Sequence, residues 1–280
     1  MLRQPDFMKH QLLNLADRLT QIKVVLCDLD HTLLDANRQV PPDTDGLLDR
    51  WLSAGYGFVI ATGREPRRAR NLSPVLDQCP LICYNGTWIE HLGDVKYARP
   101  MSSDLTRSAI ECLRRTNPNA WIGLEIDDRL YAPKPLGRWS DAIASDPTTI
   151  HGEAFKVFCP KSHLSSNQAD RVRTSVPPGT CLWISDDYDV VQFEDAVWAD
   201  KSVGAAWLLD QWNLDLARCM ALGDETNDLT MVRRSGIGIA MSNSNPELLA
   251  AADLCAPNHD AQGVQRVLSA VLELQPQAPV

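Results

Sequence analysis

Short apolar runs rich in valine and isoleucine recur along the chain: KVVLCD (23–28), YGFVIATG (56–63), PLICYNG (80–86), CMALGD (219–224) and GIGIAM (236–241). Near-continuous apolar character over so few residues marks strands covered on both faces, as in a parallel sheet. Each run closes on a polar or glycine-bearing turn. Between the runs the spacing becomes helical. In DTDGLLDRWLSAG (43–55), Leu47, Leu48, Trp51 and Leu52 share a face and Gly55 supplies a stop, and SVGAAWLLDQWNL (202–214) has the same character. This alternation predicts an α/β fold with a doubly wound, mostly parallel Rossmann-like sheet.

The middle of the chain breaks the rhythm. TWIEHLGDVKYARP (87–100) alternates and turns at Gly93-Asp94, while WIGLEIDDRLYA (121–132) and CLWISDDYDVVQFED (181–195) read as hairpins with Asp-Asp turns. Amphipathic helices lie between them, such as SSDLTRSAIECLRRT (102–116), whose serine cap precedes the apolar face. The expected organisation is therefore a discontinuous body, residues 1–87 and 196–280, with an α+β insert over 88–195. The first segment, MLRQPDFMKHQLLNLADRLTQ, lacks the unbroken apolar core of a secretory signal and is expected to be an amphipathic helix on the body. The Pro/Gln-rich tail from Gln275 is expected to fray.

A chain of 280 residues has room for this two-part organisation. No run approaches the roughly 18 apolar residues of a membrane span. The net charge of −9 speaks against a nucleic-acid or anionic-membrane partner. It leaves room for a small phosphorylated ligand, which needs only a local cationic or metal-bearing pocket. None of the eight cysteines forms a CxxC pair, and several sit within apolar runs. That pattern points to a reduced, cytoplasmic protein without a zinc or disulfide framework.

In open α/β sheets ligands bind beyond the carboxyl ends of the strands. Asp28 and Asp30 follow the first strand, Thr62 and Gly63 the second, Asn85 and Gly86 the third, and Asp224 opens GDETND after the fourth. Acids gathered at one edge repel each other and resist desolvation. A hard cation relieves both problems, and Mg²⁺ suits a site of few carboxylates that also accepts phosphate oxygens. A carboxylate beside such an ion is placed to attack phosphorus, and an aspartate two residues on is placed to move protons. Thr62, Gly63 and the Lys201 ammonium are candidates to hold phosphoryl oxygens.

DLDHTLLD resembles the DxDGT signature of the haloacid dehalogenase-like phosphatases. VIATGR resembles their second motif, DKSVGAAWLL their lysine motif and ALGDETNDLTMV their acidic fourth motif. PLICYNG, GIGIAMSNSNPELLAAAD and HDAQGVQRVL look like the Cof-type branch, which inserts a large α+β cap between the second and third motifs. The resemblance implies Asp28 as nucleophile and Asp30 as acid/base. It implies a Mg²⁺ ion held by the Asp28 carboxylate, the Asp30 main-chain carbonyl and Asp224. Thr62, Gly63 and Lys201 would bind phosphate with Asn227 close by, and Asp228 would stand behind the metal or reach it through water. One departure is His31, where the family usually has glycine.

Blander readings exist for single residues. Thr62-Gly63 also suits a strand-end turn, Lys201 a solvated lysine at a helix start and Arg64 a surface ion pair. Asn85-Gly86 is expected to hinge the chain into the insert, and Trp51 and Trp207 to be core. Taken together, the motifs predict a Mg²⁺-dependent phosphatase of small phosphorylated metabolites, sugar phosphates first, as a monomer or homodimer. A sugar phosphomutase and an inactive phosphate-ligand-binding regulator are the alternatives.

Overall fold

The computed structural model describes residues 4–150 and 152–279, and these divide into two compact units, one running up to Tyr97 and resuming at Asp200, the other lying between them from Ala98 to Ala199. In chain order the body supplies strands β1 (Val24–Cys27), β2 (Gly57–Ala61), β3 (Leu81–Cys83), β4 (Trp88–His91) and β5 (Asp94–Ala98). The insert supplies β6 (Gly123–Ile126), β7 (Arg129–Ala132), β8 (Ile143–Ala144), β9 (Lys156–Cys159), β10 (Thr180–Ser185) and β11 (Val190–Asp195). The body resumes with β12 (Cys219–Gly223), β13 (Ile237–Met241) and β14 (Leu254–Ala256).

The body sheet runs β14-β13-β12-β1-β2-β3-β4-β5. Pairing is parallel from β14 to β3 and antiparallel between β3 and β4. Every residue of β1, β12 and β13 is buried, the two-sided cover that the apolar runs predict. Register places the functional ends together. Cys27 lies opposite Ile60 on β2 and Leu222 on β12, so the residues after these strands emerge at one sheet edge.

The hairpin β4–β5 extends the body sheet, and the insert begins at Ala98 rather than near residue 88. The reason is local. Ile89 on β4 pairs with Ile82 and joins the body core, while Tyr97 packs its ring 4.9 Å from that of Trp207. The tight turn is Leu92-Gly93, both at positive φ (53° and 82°), one residue earlier than the pattern suggests.

The helix over 44–53 buries Leu47, Leu48 and Trp51 and ends before Gly55 at φ 89°. Near the N-terminus, helix Gln4–Leu13 fully buries Met8 and Leu12, and Lys9 pairs with Glu273 of the last helix, Gly263–Leu274. The expected helix at the start of the chain also included residues 1–3, which lie outside the described residues. The tail is pinned rather than frayed. The buried Tyr56 hydroxyl lies 3.0 Å from the Gln275 carbonyl and 3.1 Å from that of Gln277, and the Ala278 amide donates to Ala54 at 2.8 Å.

Within the insert the sheet runs β10-β11-β9-β6-β7-β8. Helices Ser103–Thr116 and Ser166–Thr174 pack on one face around Ala109, Leu113, Leu124, Val157, Val172 and Phe193. Ser102 caps the first helix, and Ser165 with Gln168 forms a capping box at the second. The Asp127-Asp128 turn has both residues at positive φ, as a two-residue hairpin requires.

Candidate active site

Asp28 follows β1 directly, and its amide donates to the Leu222 carbonyl at 3.1 Å, tying it to the end of β12. Two residues past that carbonyl the chain reaches Asp224. Asp228 arrives through a short helical turn, Thr226–Asp228, that folds back on the strand end. A Cβ on Gly223 would sit 2.4 Å from the Asp228 Cγ, so this return needs glycine. One carboxylate oxygen from each of Asp28, Asp224 and Asp228 lies within 4.8 Å of the others, and all three residues are buried.

Lys201 begins helix Lys201–Asp210 and is fully buried. Its ammonium donates to Asp28 Oδ1 at 2.6 Å and to Asp228 Oδ1 at 2.7 Å. A cation at a helix N-terminus opposes the macrodipole, and the two carboxylates supply the compensation. This is no solvated lysine. Gly86 seats its helix. At φ 110°, a Cβ there would fall 2.2 Å from the Asp200 carbonyl oxygen.

The acids are held by different partners. Asp228 Oδ2 accepts the amides of Asp224 (3.0 Å) and Glu225 (3.1 Å), so both its oxygens are engaged. Asp224 Oδ1 accepts the Thr32 hydroxyl at 3.0 Å, and the Asn243 side-chain nitrogen lies 3.5 Å from Oδ2. Asp28 Oδ2 accepts no hydrogen bond among the described residues. Three buried carboxylates thus share one ammonium. Burial, then the neighbouring acids, raises the Asp224 carboxyl; burial outweighs the Lys201 contact in raising Asp28. Burial alone would lower Lys201, but Asp228 and Asp28 overcome it and hold the ammonium charged. The cluster is short of positive charge, and its donors are all hard oxygens, with Asp28 Oδ2 open and Asp224 Oδ2 held only by the long Asn243 contact. A hard divalent cation fits that deficit.

Asp30 is placed differently. Its carboxylate is gripped by Arg64, with Nε to Oδ2 at 2.6 Å and Nη2 to Oδ1 at 2.5 Å, and Arg38 Nε lies 3.9 Å away. Burial pushes this carboxyl up, but the Arg64 hydrogen bonds and charge prevail and hold it below the ordinary carboxylate range. Its carboxylate therefore stands outside the group formed by Asp28, Asp224 and Asp228. Arg64 is an active-edge residue in this arrangement, not a surface ion pair.

Thr62 is buried, and its hydroxyl oxygen accepts the Arg64 amide at 3.2 Å, which leaves the hydroxyl proton to donate elsewhere. At Gly63, a Cβ would meet Asn85 Oδ1 at 3.0 Å and Asn227 Nδ2 at 3.5 Å. Asn227 Nδ2 donates to Asn85 Oδ1 at 3.0 Å. Asn85 is thus part of the site's rim, buried at φ 52°, rather than the hinge that its place before the insert suggests. His31 keeps a left-handed backbone (φ 58°, ψ 8°), the geometry glycine would favour. Its carbonyl accepts Asn243 Nδ2 at 3.0 Å, and its ring meets His259 edge-on at 5.3 Å. Asn243 was hidden in a sequence stretch, SNSN, whose polar residues look like an ordinary turn.

No helix among the described residues is long and apolar enough to cross a membrane. A family model of haloacid dehalogenase-like hydrolases matches residues 25–195 and 196–268. The chain is 23% identical over 276 residues to the 5-amino-6-(5-phospho-D-ribitylamino)uracil phosphatase YitU of Bacillus subtilis, covering 91% of this chain and 99% of that one. A solved structure from Streptococcus mutans UA159 superposes with TM-score 0.79 at 20% identity, over 90% of this chain and 99% of that one. The sugar phosphatase BT4131, of haloacid dehalogenase subclass IIB, superposes with TM-score 0.72 at 18% identity, over 88% and 98%. At such identities the two structures establish a common fold.

Proposed function

The chain belongs to the haloacid dehalogenase-like hydrolases, and on that premise we propose that it hydrolyses phosphate monoesters of small sugars or polyols through an aspartyl-phosphate on Asp28. The observation that carries this reading is the open Oδ2 of Asp28, in a carboxylate whose other oxygen is held by Lys201. The hydrogen bond aims the carboxylate, and the free oxygen is the one able to attack phosphorus. Two relatives support the substrate class by their names, since one acts on a phosphorylated ribityl chain and the other on sugar phosphates.

In the proposed reaction Asp28 Oδ2 bonds to phosphorus as the ester oxygen departs. Asp30 gives that oxygen its proton and then takes one from the water that cleaves the aspartyl-phosphate, releasing inorganic phosphate and free Asp28. Since Asp30 is an ionised partner of Arg64 here, donation requires that the Arg64 contact be exchanged for a proton. Thr62, Gly63 and Asn227 line the place for phosphoryl oxygens, and Lys201 offsets their charge. Asp28, Asp224 and the Asp30 carbonyl would hold Mg²⁺, with Asp228 behind them, and the ion would neutralise charge on the transferring group.

The test is a panel of phosphate monoesters assayed with Mg²⁺, with and without chelator, following both inorganic phosphate and the organic product. Chelator-sensitive phosphate release is the expected result. Isomerised sugar phosphate without phosphate release would replace hydrolysis by a mutase reaction, and no turnover of any ester would leave a binding protein.

A further inference from the structure

The turn after Asp28 carries a side chain where its conformation favours glycine. In DLDHTLLD, Asp30 has φ −71° and ψ 131°, while His31 has φ 58° and ψ 8°. The peptide plane between them is rigid, so its orientation is set by Asp30 ψ and His31 φ together. The φ well that His31 occupies therefore decides where the Asp30 carbonyl points. A residue with a side chain prefers negative φ, and a left-handed one persists only where its surroundings over-determine it. Two contacts do so within the body. Asn243 Nδ2 donates to the His31 carbonyl at 3.0 Å. The His259 ring meets the His31 ring edge-on, with 5.3 Å between centroids and 83° between planes.

His259 is fastened where it can keep that contact. Its short turn, His259–Ala261, is closed by the Ala261 amide on Asn258 Oδ1 at 2.8 Å. The next residue, Asp260, accepts the Ala36 amide through Oδ1 at 3.1 Å, which ties this turn to the chain just past His31. The imidazole gains little within its own turn. Its Nδ1 is buried without a hydrogen-bond partner among the described residues, and Nε2 stands 3.6 Å from Asp260 Oδ1. A buried nitrogen left unmatched costs stability, so the contact with His31 is what this ring supplies. We propose that His259 and Asn243 are positioning residues that hold His31 in the left-handed well and thereby fix the direction of the Asp30 carbonyl. In this chain they replace the conformational freedom that glycine brings to such a turn. The proposal rests on the phosphatase reading above in one respect, that the carbonyl so aimed helps to hold Mg²⁺.

The experiment is a double-mutant cycle on the full chain: wild type, His259→Ala, His31→Gly and the two together. Mg²⁺ is titrated calorimetrically into each without substrate, and each is melted in chelator. In the His31 background, His259→Ala should weaken Mg²⁺ binding about fivefold, the scale of one aromatic pair, and lower Tm by about 2–4 °C. In the His31→Gly background the same substitution should change Mg²⁺ affinity by less than about twofold and Tm by less than about 1 °C, because glycine needs no lock. His259→Phe, which keeps a ring, should stay within about twofold of wild type in Mg²⁺ affinity. Equal losses in both backgrounds would show that His259 serves only its own turn and would overturn the proposal, as would no loss in either. Coupled melts with unchanged Mg²⁺ affinity would overturn the link to the Asp30 carbonyl. If wild type takes up no Mg²⁺, the metal-dependent reading of the site fails, while the coupling in the melts still decides whether His259 holds His31. Should the alanine variant fail to fold, His259→Leu takes its place in the cycle.

Discussion

Replacing Lys201 by methionine removes an ammonium that lies 2.6 and 2.7 Å from two buried carboxylates. At an effective dielectric constant of about 20, each contact is worth about 6 kcal/mol of gross Coulomb attraction. Much of that is offset by the cost of burying the ammonium, so the net loss expected on breaking the network is about 3–5 kcal/mol. Urea denaturation of wild type and variant at pH 7.5 in chelator measures it. The loss has a pH signature. Without Lys201, Asp28, already raised in the fold by burial, rises further above its value in the unfolded chain. A group raised in the fold stabilises below its unfolded pKa and loses that contribution as pH rises through the folded value. The variant therefore falls behind most at pH 7–8 and recovers toward pH 5. Lys201→Met with Asp228→Asn, which removes one orphaned charge, should regain a good part of the loss while staying inactive. A penalty under about 1 kcal/mol, or one that is flat with pH, would refute the buried three-charge description.

Asp28→Asn should lower kcat by at least about 10⁴ while leaving the melt unchanged or slightly higher, because it removes one charge from an overcrowded cluster; near-wild-type turnover would take Asp28 out of the nucleophile role. In chelator the wild-type protein should lose stability as pH rises from about 5 to 8, because Asp28 and Asp224 are both raised in the fold. Mg²⁺ should flatten that slope in thermal melts, and identical slopes would show that the cluster holds no cation. Asp30→Asn should slow alkyl phosphates far more than aryl phosphates, since only poor leaving groups need its proton; uniform loss would argue against an acid role. Gly223→Ala should cost about 1–3 kcal/mol in urea denaturation, because a Cβ there falls 2.4 Å from the Asp228 Cγ.

What the chain disclosed in advance follows from what is local. Continuous apolar runs need two-sided cover, so β1, β12 and β13 were readable as parallel strands, and the rule that ligands gather at carboxyl ends pointed to the edge where Asp28, Asp224 and Lys201 converge. Features set by distant partners were not readable. The hairpin β4–β5 has the alternation of an independent antiparallel unit, and only the pairing of Ile89 with Ile82 assigns it to the body. A tail rich in Pro and Gln gives no hint that the buried Tyr56 hydroxyl donates to its carbonyls. Arg64 and Asn85 looked like a surface charge and a hinge because their partners, Asp30 and Asn227, are 34 and 142 residues away.

The central strand pairing has a consequence in time. β1 borders β12, so Val24 meets Cys219 across more than half of the chain. During synthesis β1 can pair with β2 early, yet its opposite edge stays unmet until β12 has left the ribosome. An unpaired, wholly apolar edge is a template for association with other chains, and such distant pairing is slow to form. A chain released short of Cys219 would carry Asp28 without Lys201's final setting or the two later acids, and its exposed β1 edge would make it prone to aggregate.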